Sequence, residues 1–291
     1  MEFVFVPFGG RAPSGAIACD GLVSGAALDL SHWSHNRTPI HLKRDTSAEI
    51  ALVFAEERAR HDLRCVANNH FDTDGVLAIW AVLSPDLARA HRDLVVSAAV
   101  CGDFDEWPQD RRGVWLDAAI GVLAGDRSDS RAYAHVLPML DALVPSIGAR
   151  EDLWGRAEAD VEAAEAAVAA GRVHVEKRGR IAVVRHAPKT TELPGLVLSK
   201  LRPSGTDRVL LAFEEAPGAF RYRYELPRYA WADTVDRPKL KMPRRGPIRR
   251  ALGDAWVIKG RKGMTGIAYT PEANARSPEL VASTLEAIDR G

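Results

Sequence analysis

Two carboxylates one residue apart, preceded by a histidine and followed by a glycine, form a compact donor set for a divalent cation. The stretch RCVANNHFDTDGVLAIWAVLSP, residues 64 to 85, carries such a set in His70, Asp72, Asp74 and Gly75. Asp-x-Asp spacing lets both side chains project the same way from an extended loop, and Gly75 allows a turn into the next segment that a Cβ would hinder. Crowded carboxylates repel one another unless a cation neutralises them, so a metal is the economical explanation.

Two further clusters have the same character. CGDFDEW contributes Asp103, Asp105 and Glu106, and LDLSHWSHNRTP contributes Asp29, His32, His35 and Asn36. The expected ligand set is Asp72 and Asp74 first, with His70, Asp103, Asp105 and Asp29 around them. His32 or His35 is expected to act as a ligand or as the general acid that protonates a leaving oxygen. Oxygen ligands with histidine suit Mn²⁺ best, with Mg²⁺ or Fe²⁺ as alternatives, whereas structural Zn²⁺ favours Cys and His. Each cluster also has a plain structural reading, because Asp and Asn cap helices and histidines occur in polar turns.

These residues must be delivered by the elements around them. FVFVPF, LRCVANN and LVVSAAVCGDF read as buried strands, since each is a continuous apolar or β-branched run. SAEIALVFAEERARH reads as a helix with Ser47 or Thr46 as N-cap and Glu49 as a capping-box partner, and DGVLAIWAVLSPDLARAH as one or two helices broken near Pro85. Alternating strands and helices imply an α/β fold with a mainly parallel sheet and flanking helices, in which ligands sit beyond the carboxyl ends of the strands.

The chain has 291 residues, enough for two domains of ordinary size. REDLWGRAEADVEAAEAAVAAG reads as a proline-free connecting helix closed by Gly171. It separates a metal-binding α/β domain, residues 1–149, from a smaller C-terminal α+β domain, residues 172–291, with the helix itself at 150–171. GRVHVEKRGRIAVVRH, RVLLAFEEAPGAFRYRYEL and AWVIKGRKGMTGIAYTP each read as a hairpin. In FRYRYE, alternation directs Phe220, Tyr222 and Tyr224 inward and the arginines outward.

Lys plus Arg and Asp plus Glu both total 39, so no global field drives the chain toward nucleic acid or membrane. Charge is instead local: residues 237 to 262 hold ten Lys or Arg against the single acid Asp254. Such a face could grip an anion through Lys259, Arg261 and Lys262, with Asn36, Arg37, Asn69 and Arg223 as further substrate contacts. KGRKGMTG lacks the spacing of a phosphate-binding P-loop and reads as a generic anion-binding turn. Three dispersed cysteines, a start without a basic leader and no apolar run of membrane-spanning length lead us to expect a cytoplasmic protein.

The HFDTDG loop ahead of an apolar helix resembles the first motif of the DHH phosphoesterase superfamily, where an Asp-rich loop after a strand holds metal ions. SHWSHN is similar to that superfamily's Asp-His-His-x-x-Asn signature: His32 matches the first histidine and Asn36 the asparagine, while Ser31 and Trp33 stand where the aspartate and second histidine would be. Here SHWSHN precedes HFDTDG, the reverse of the superfamily's order. SHWSHNRTP, DTSAEIAL and NNHFDTDG also resemble an uncharacterised bacterial family with no assigned reaction.

The resemblance implies a divalent-metal-dependent phosphoesterase acting on a small phosphate ester or nucleotide in an interdomain cleft. Two other readings stand beside it: an iron or manganese enzyme with non-phosphate chemistry on the same fold, and a non-catalytic binder of nucleotide or nucleic acid.

Overall fold

The computed structural model describes residues 1–57, 63–259 and 266–290, and the elements and contacts below refer to these. The fold is α/β, with a mainly parallel sheet and flanking helices, plus a smaller C-terminal α+β region. The chain divides into two compact units. One comprises Met1–Asp160 together with Ala232–Pro238, and the other Val161–Trp231 with Lys239–Gly291.

The first unit is built on strands β1 (Glu2–Phe5), β2 (Ala16–Cys19), β3 (Leu28–Leu30) and β4 (Cys65–Asn68). They lie in the order β1-β4-β2-β3, every pair parallel. Its helices are α1 (Ser47–Glu56), α2 (Thr73–Leu83), α3 (Pro85–Ala90), α4 (Arg92–Phe104), α5 (Arg112–Ala124), α6 (Asp129–Val136) and α7 (Leu140–Ser146). A longer helix, α8 (Glu151–Ala169), is divided between the two units, and Gly171 follows it at φ +69°.

Strand alternation sorts β2 and β4 onto two faces. Ile17, Cys19 and Val66 join the main core with residues of the helices, while Ala16, Ala18, Cys65 and Ala67 pack with Val6, Ala12, Val23 and Ala26. The helical face is dense: Trp80 is 1% exposed, and its indole donates to Asp141 at 2.6 Å. Burying an aromatic of this size contributes roughly 3 kcal/mol.

The HFDTDG loop leads into α2, whose break at Ser84–Pro85 separates it from α3. Thr46 caps α1 by accepting the amide of Glu49. The stretch LVVSAAVCGDF differs from its expected strand: it forms most of α4. Leu94, Val95, Ala98, Ala99 and Cys101 are its buried face at helical spacing, and a short apolar run buried on most sides carries no alternation to separate helix from strand. Asp103 therefore sits in the last turn of a helix, and Asp105 at its C-cap with φ +48°, not in a loop after a strand.

The second unit contains a six-stranded sheet in the order β5-β6-β7-β8-β10-β9. Its strands are β5 (Val173–Arg178), β6 (Ile181–His186), β7 (Arg208–Ala216), β8 (Ala219–Glu225), β9 (Val257–Lys259) and β10 (Ile267–Tyr269). The three expected hairpins are the antiparallel pairs β5–β6, β7–β8 and β10–β9, and helix α9 (Gly195–Leu201) connects the parallel strands β6 and β7. Tyr222 and Tyr224 are fully buried against α10 (Arg245–Leu252) and α11 (Pro278–Arg290), as the alternation in β8 requires. Among the described residues, no helix is long and apolar enough to cross a membrane.

Candidate metal centre

Parallel pairing in register brings three strand ends together. Ile17 pairs with Val66 and Cys19 with Leu30, so the chain leaves β4, β2 and β3 side by side. From these exits come His70 and Asp72, Asp20, and His32. Gly21 fits this crossing because a Cβ there would lie 2.4 Å from the Asn68 amide oxygen, to which the Gly21 amide donates at 3.0 Å. The first turn of α2 adds Asp74 and the last turn of α4 adds Asp103.

Six side chains thus converge. His32 Nε2 lies 3.0 Å from Asp103 Oδ2, 3.8 Å from Asp20 Oδ1 and 3.9 Å from Asp74 Oδ2. His70 Nε2 lies 2.9 Å from Asp20 Oδ2 and 3.0 Å from Asp72 Oδ2. Two triads can hold a metal ion, Asp20 with His32 and Asp74, and Asp20 with His70 and Asp72; within each, the donor atoms lie within 4.8 Å of one another. The first triad is sealed from solvent and the second is partly open.

Each donor is held from behind. Asp20 Oδ1 accepts the Ser47 hydroxyl at 2.9 Å and the Trp33 indole N–H at 3.2 Å. Asp74 accepts the amides of Ser47 and Ala48, at 2.8 and 2.7 Å, at the N-terminus of α1. His32 Nδ1 sits 2.7 Å from the Asp45 carbonyl and His70 Nδ1 2.9 Å from Asn69 Oδ1. Both partners accept a proton from Nδ1, which directs each Nε2 at the carboxylates. Asp72 is a helix cap, its Oδ1 taking the Gly75 amide at 2.7 Å, while its other oxygen still faces His70. The capping and ligand readings of this residue are compatible.

The electrostatics reflect crowding. Burial alone would depress His32, but the Asp103 ion pair and the Asp74 and Asp20 charges push it up to about 10. Burial likewise opposes protonation of His70, and Asp20 and Asp72 overcome it, raising the imidazole to about 11. Burial raises Asp103 to about 6 against the pull of His32, and raises Asp74 well above the usual carboxylate range with the help of neighbouring acids. Asp20 moves the other way, because His70 and His32 outweigh its burial.

The donor chemistry fits a divalent cation. Asp20 Oδ2 and Asp103 Oδ2 are buried and accept no hydrogen bond of proper geometry, although each has an imidazole nitrogen nearby. Buried polar oxygens left this way are what a bound ion would satisfy. The adjoining Cys19 thiol is held protonated by burial and by Asp20 and Asp74, so the donor set is carboxylate and imidazole.

Of the residues expected from sequence, His32, His70, Asp72, Asp74 and Asp103 come together, and Asn69 orients His70. Asp29 stands apart, because Arg37 grips both its oxygens at 3.1 Å and the Arg37 amide adds a third bond. Arg37 is thereby engaged as well. Asn36 closes its own turn on Trp33 and Thr38, and reaches Asp233. His35 is exposed at φ +70°, and Asp105 caps α4. In the second unit Arg223 pairs with Glu192 and Glu225, and the Lys259 ammonium lies 5.4 Å from the Tyr269 ring. Arg261 and Lys262 lie outside the described residues.

Sequence reasoning missed Asp20, which belongs to both triads. Its signal was present: AIAC is a four-residue buried strand, and Asp20-Gly21 follows it just as the acidic loop follows CVAN. Arg237, read as part of a basic face, is instead held by Asp45 and Glu106. A cavity of about 510 Å³ lined by Asp45, Glu49, Arg92, Glu106, Trp107 and Arg237 lies on that side, and none of the six converging residues lines it.

No curated protein matches the sequence. Among solved structures, the pGpG-specific phosphodiesterase PggH from Vibrio cholerae is similar with a TM-score of 0.43 and 9% identity, covering 96% of this chain and 85% of that one. A family model matches residues 1–255, and by that match the chain belongs to the family of unknown function DUF6687.

Proposed function

We propose that the chain is a divalent-metal-dependent hydrolase of a small phosphate ester or nucleotide, with Mn²⁺ as the favoured ion. The observation that carries this reading is Asp20, a single carboxylate common to two adjacent donor triads. Divalent ions held by Asp20, His32, Asp74, His70 and Asp72 would supply Lewis acidity toward a phosphoryl group and a nucleophile from water at neutral pH.

The chain's own residues contribute position. Ser47 and Trp33 fix Asp20, the α1 amides fix Asp74, and the Asp45 carbonyl and Asn69 fix the two imidazoles. Donors held this way need no reorganisation when substrate arrives. The triad of Asp20, His70 and Asp72 is the partly open one, and so the side from which substrate approaches. His32 is fully buried, and its Nε2 faces the carboxylates, which suits a ligand.

The test is metal analysis of tag-free protein, followed by hydrolysis of bis-p-nitrophenyl phosphate with Mn²⁺. Wild type and Asp29→Asn are expected to hold about one or two ions per chain, whereas Asp20→Asn loses metal and hydrolysis together. Wild-type metal content and turnover in Asp20→Asn would refute the reading.

A further inference from the structure

The segment Ala232–Pro238 belongs to the first unit, while the chain on either side of it belongs to the second. Its grip centres on His32. The Asp233 amide donates to the His32 carbonyl at 2.6 Å. The amides of Val235 and Asp236 donate to Asp45 Oδ1 at 2.5 and 3.0 Å, and the Arg237 guanidinium binds Asp45 Oδ2. Asp45 is the residue whose carbonyl sits 2.7 Å from His32 Nδ1.

Arg237 also reaches a second partner and a ring. Its Nε and Nη2 lie 2.8 and 2.6 Å from Glu106 Oε2, and its guanidinium carbon is 4.9 Å from the centre of the Phe104 ring. Phe104 in turn stacks on the His32 imidazole at 5.6 Å and 24°. Asp45 and Phe104 therefore touch His32 at one ring nitrogen and along its ring, and Arg237 contacts both.

From this geometry we infer that Arg237 is a positioning residue for the buried triad. Through Asp45 and Phe104 it holds His32 in the tautomer and orientation that turn Nε2 toward Asp20, Asp74 and Asp103. This rests on the metal-centre reading above. A carbonyl partner on the non-ligating nitrogen fixes which nitrogen faces the ion, and losing such outer support typically weakens metal binding 10- to 100-fold. Here the carbonyl belongs to a loop residue, Asp45, whose side chain is tied down by a segment about 190 residues further along the chain.

A double-mutant cycle tests this, with Mn²⁺ binding measured on the full chain by calorimetry. Arg237→Gln is expected to weaken binding by about 10- to 100-fold. In a His32→Gln background, which keeps the Asp20, His70 and Asp72 donors, the same change is expected to have little further effect. A merely structural role would cost the same factor in both backgrounds, and that result, or wild-type affinity in Arg237→Gln, overturns the inference. Should Arg237→Gln fail to fold, the cycle is run with Asp45→Asn, which keeps the backbone carbonyl beside His32 Nδ1 but removes the carboxylate that Arg237 grips, and the same two results decide it. Absence of Mn²⁺ binding in the wild type would show that the metal-centre reading itself had failed, and the inference with it.

Discussion

Metal binding at this centre should release protons. Without a cation the carboxylates are neutralised by imidazolium groups: His32 titrates near 10 and His70 near 11, because close Asp partners outweigh the cost of burial. An imidazole must be neutral to ligate a metal. At about pH 7, removing these protons sets about 4 kcal/mol for His32 and about 5 kcal/mol for His70 against ligation. Each ion that recruits one of these histidines should expel about one proton, and its affinity should rise about tenfold per pH unit between about pH 6 and 8. Calorimetric titration with Mn²⁺ in buffers of differing ionisation enthalpy reads the proton count directly. The expected count is at least about two per chain with both triads filled, one from each histidine and more if Asp74 also gives up a proton, falling by about one in His70→Gln. Mn²⁺ binding with no proton release at neutral pH would refute the ion-pair account. The same linkage governs stability in the absence of metal. The folded-state pKa values lie above the ordinary imidazole value, so this contribution is complete below about pH 6.5 and is lost as pH rises through 10 to 11.

Two further outcomes test packing and titration away from the ligand atoms. A Cβ on Gly75 would lie 2.6 Å from Asn68 Nδ2 and 2.9 Å from Asp72 Oδ1. Gly75→Ala should therefore destabilise the protein by about 1 to 3 kcal/mol in urea denaturation, despite alanine's better helix propensity; a gain in stability would show that the α2 N-terminus is not closely packed. In the second unit His186 is buried, stacks on Phe213 at 4.7 Å and accepts the Leu193 amide; burial is the main cause of its lowered pKa, about 4. Since the unfolded chain then takes up the proton first, stability is present above about pH 6.5 and falls toward pH 4, by about 2 kcal/mol between pH 7 and 5. His186→Asn should flatten that acid limb, and an unchanged limb would assign it to other groups.

Much of the fold was legible because its signals are local. The Thr46 cap of α1, the break at Pro85, the Gly171 stop after α8 and the alternation of Tyr222 and Tyr224 in β8 each depend on residues within a few positions. LVVSAAVCGDF reads as a strand but folds as a helix, because continuous burial removes the periodicity that separates the two. The error did not remove Asp103 from the site, because the last turn of α4 ends beside His32.

By itself the sequence determined that His70 and Asp72 stand between a short buried strand and an apolar helix, and this followed from residue type and spacing alone. Only the tertiary structure decided which carboxylates and histidines meet. The order β1-β4-β2-β3 sets the end of β2 between those of β4 and β3, admitting Asp20 to both triads. An ion pair with Arg37 takes Asp29 elsewhere, and Arg237 is drawn from a basic run onto Asp45. The Asp29–Arg37 pair is local, but strand order and the Arg237–Asp45 pair join residues tens to 192 positions apart, and no local pattern encodes them.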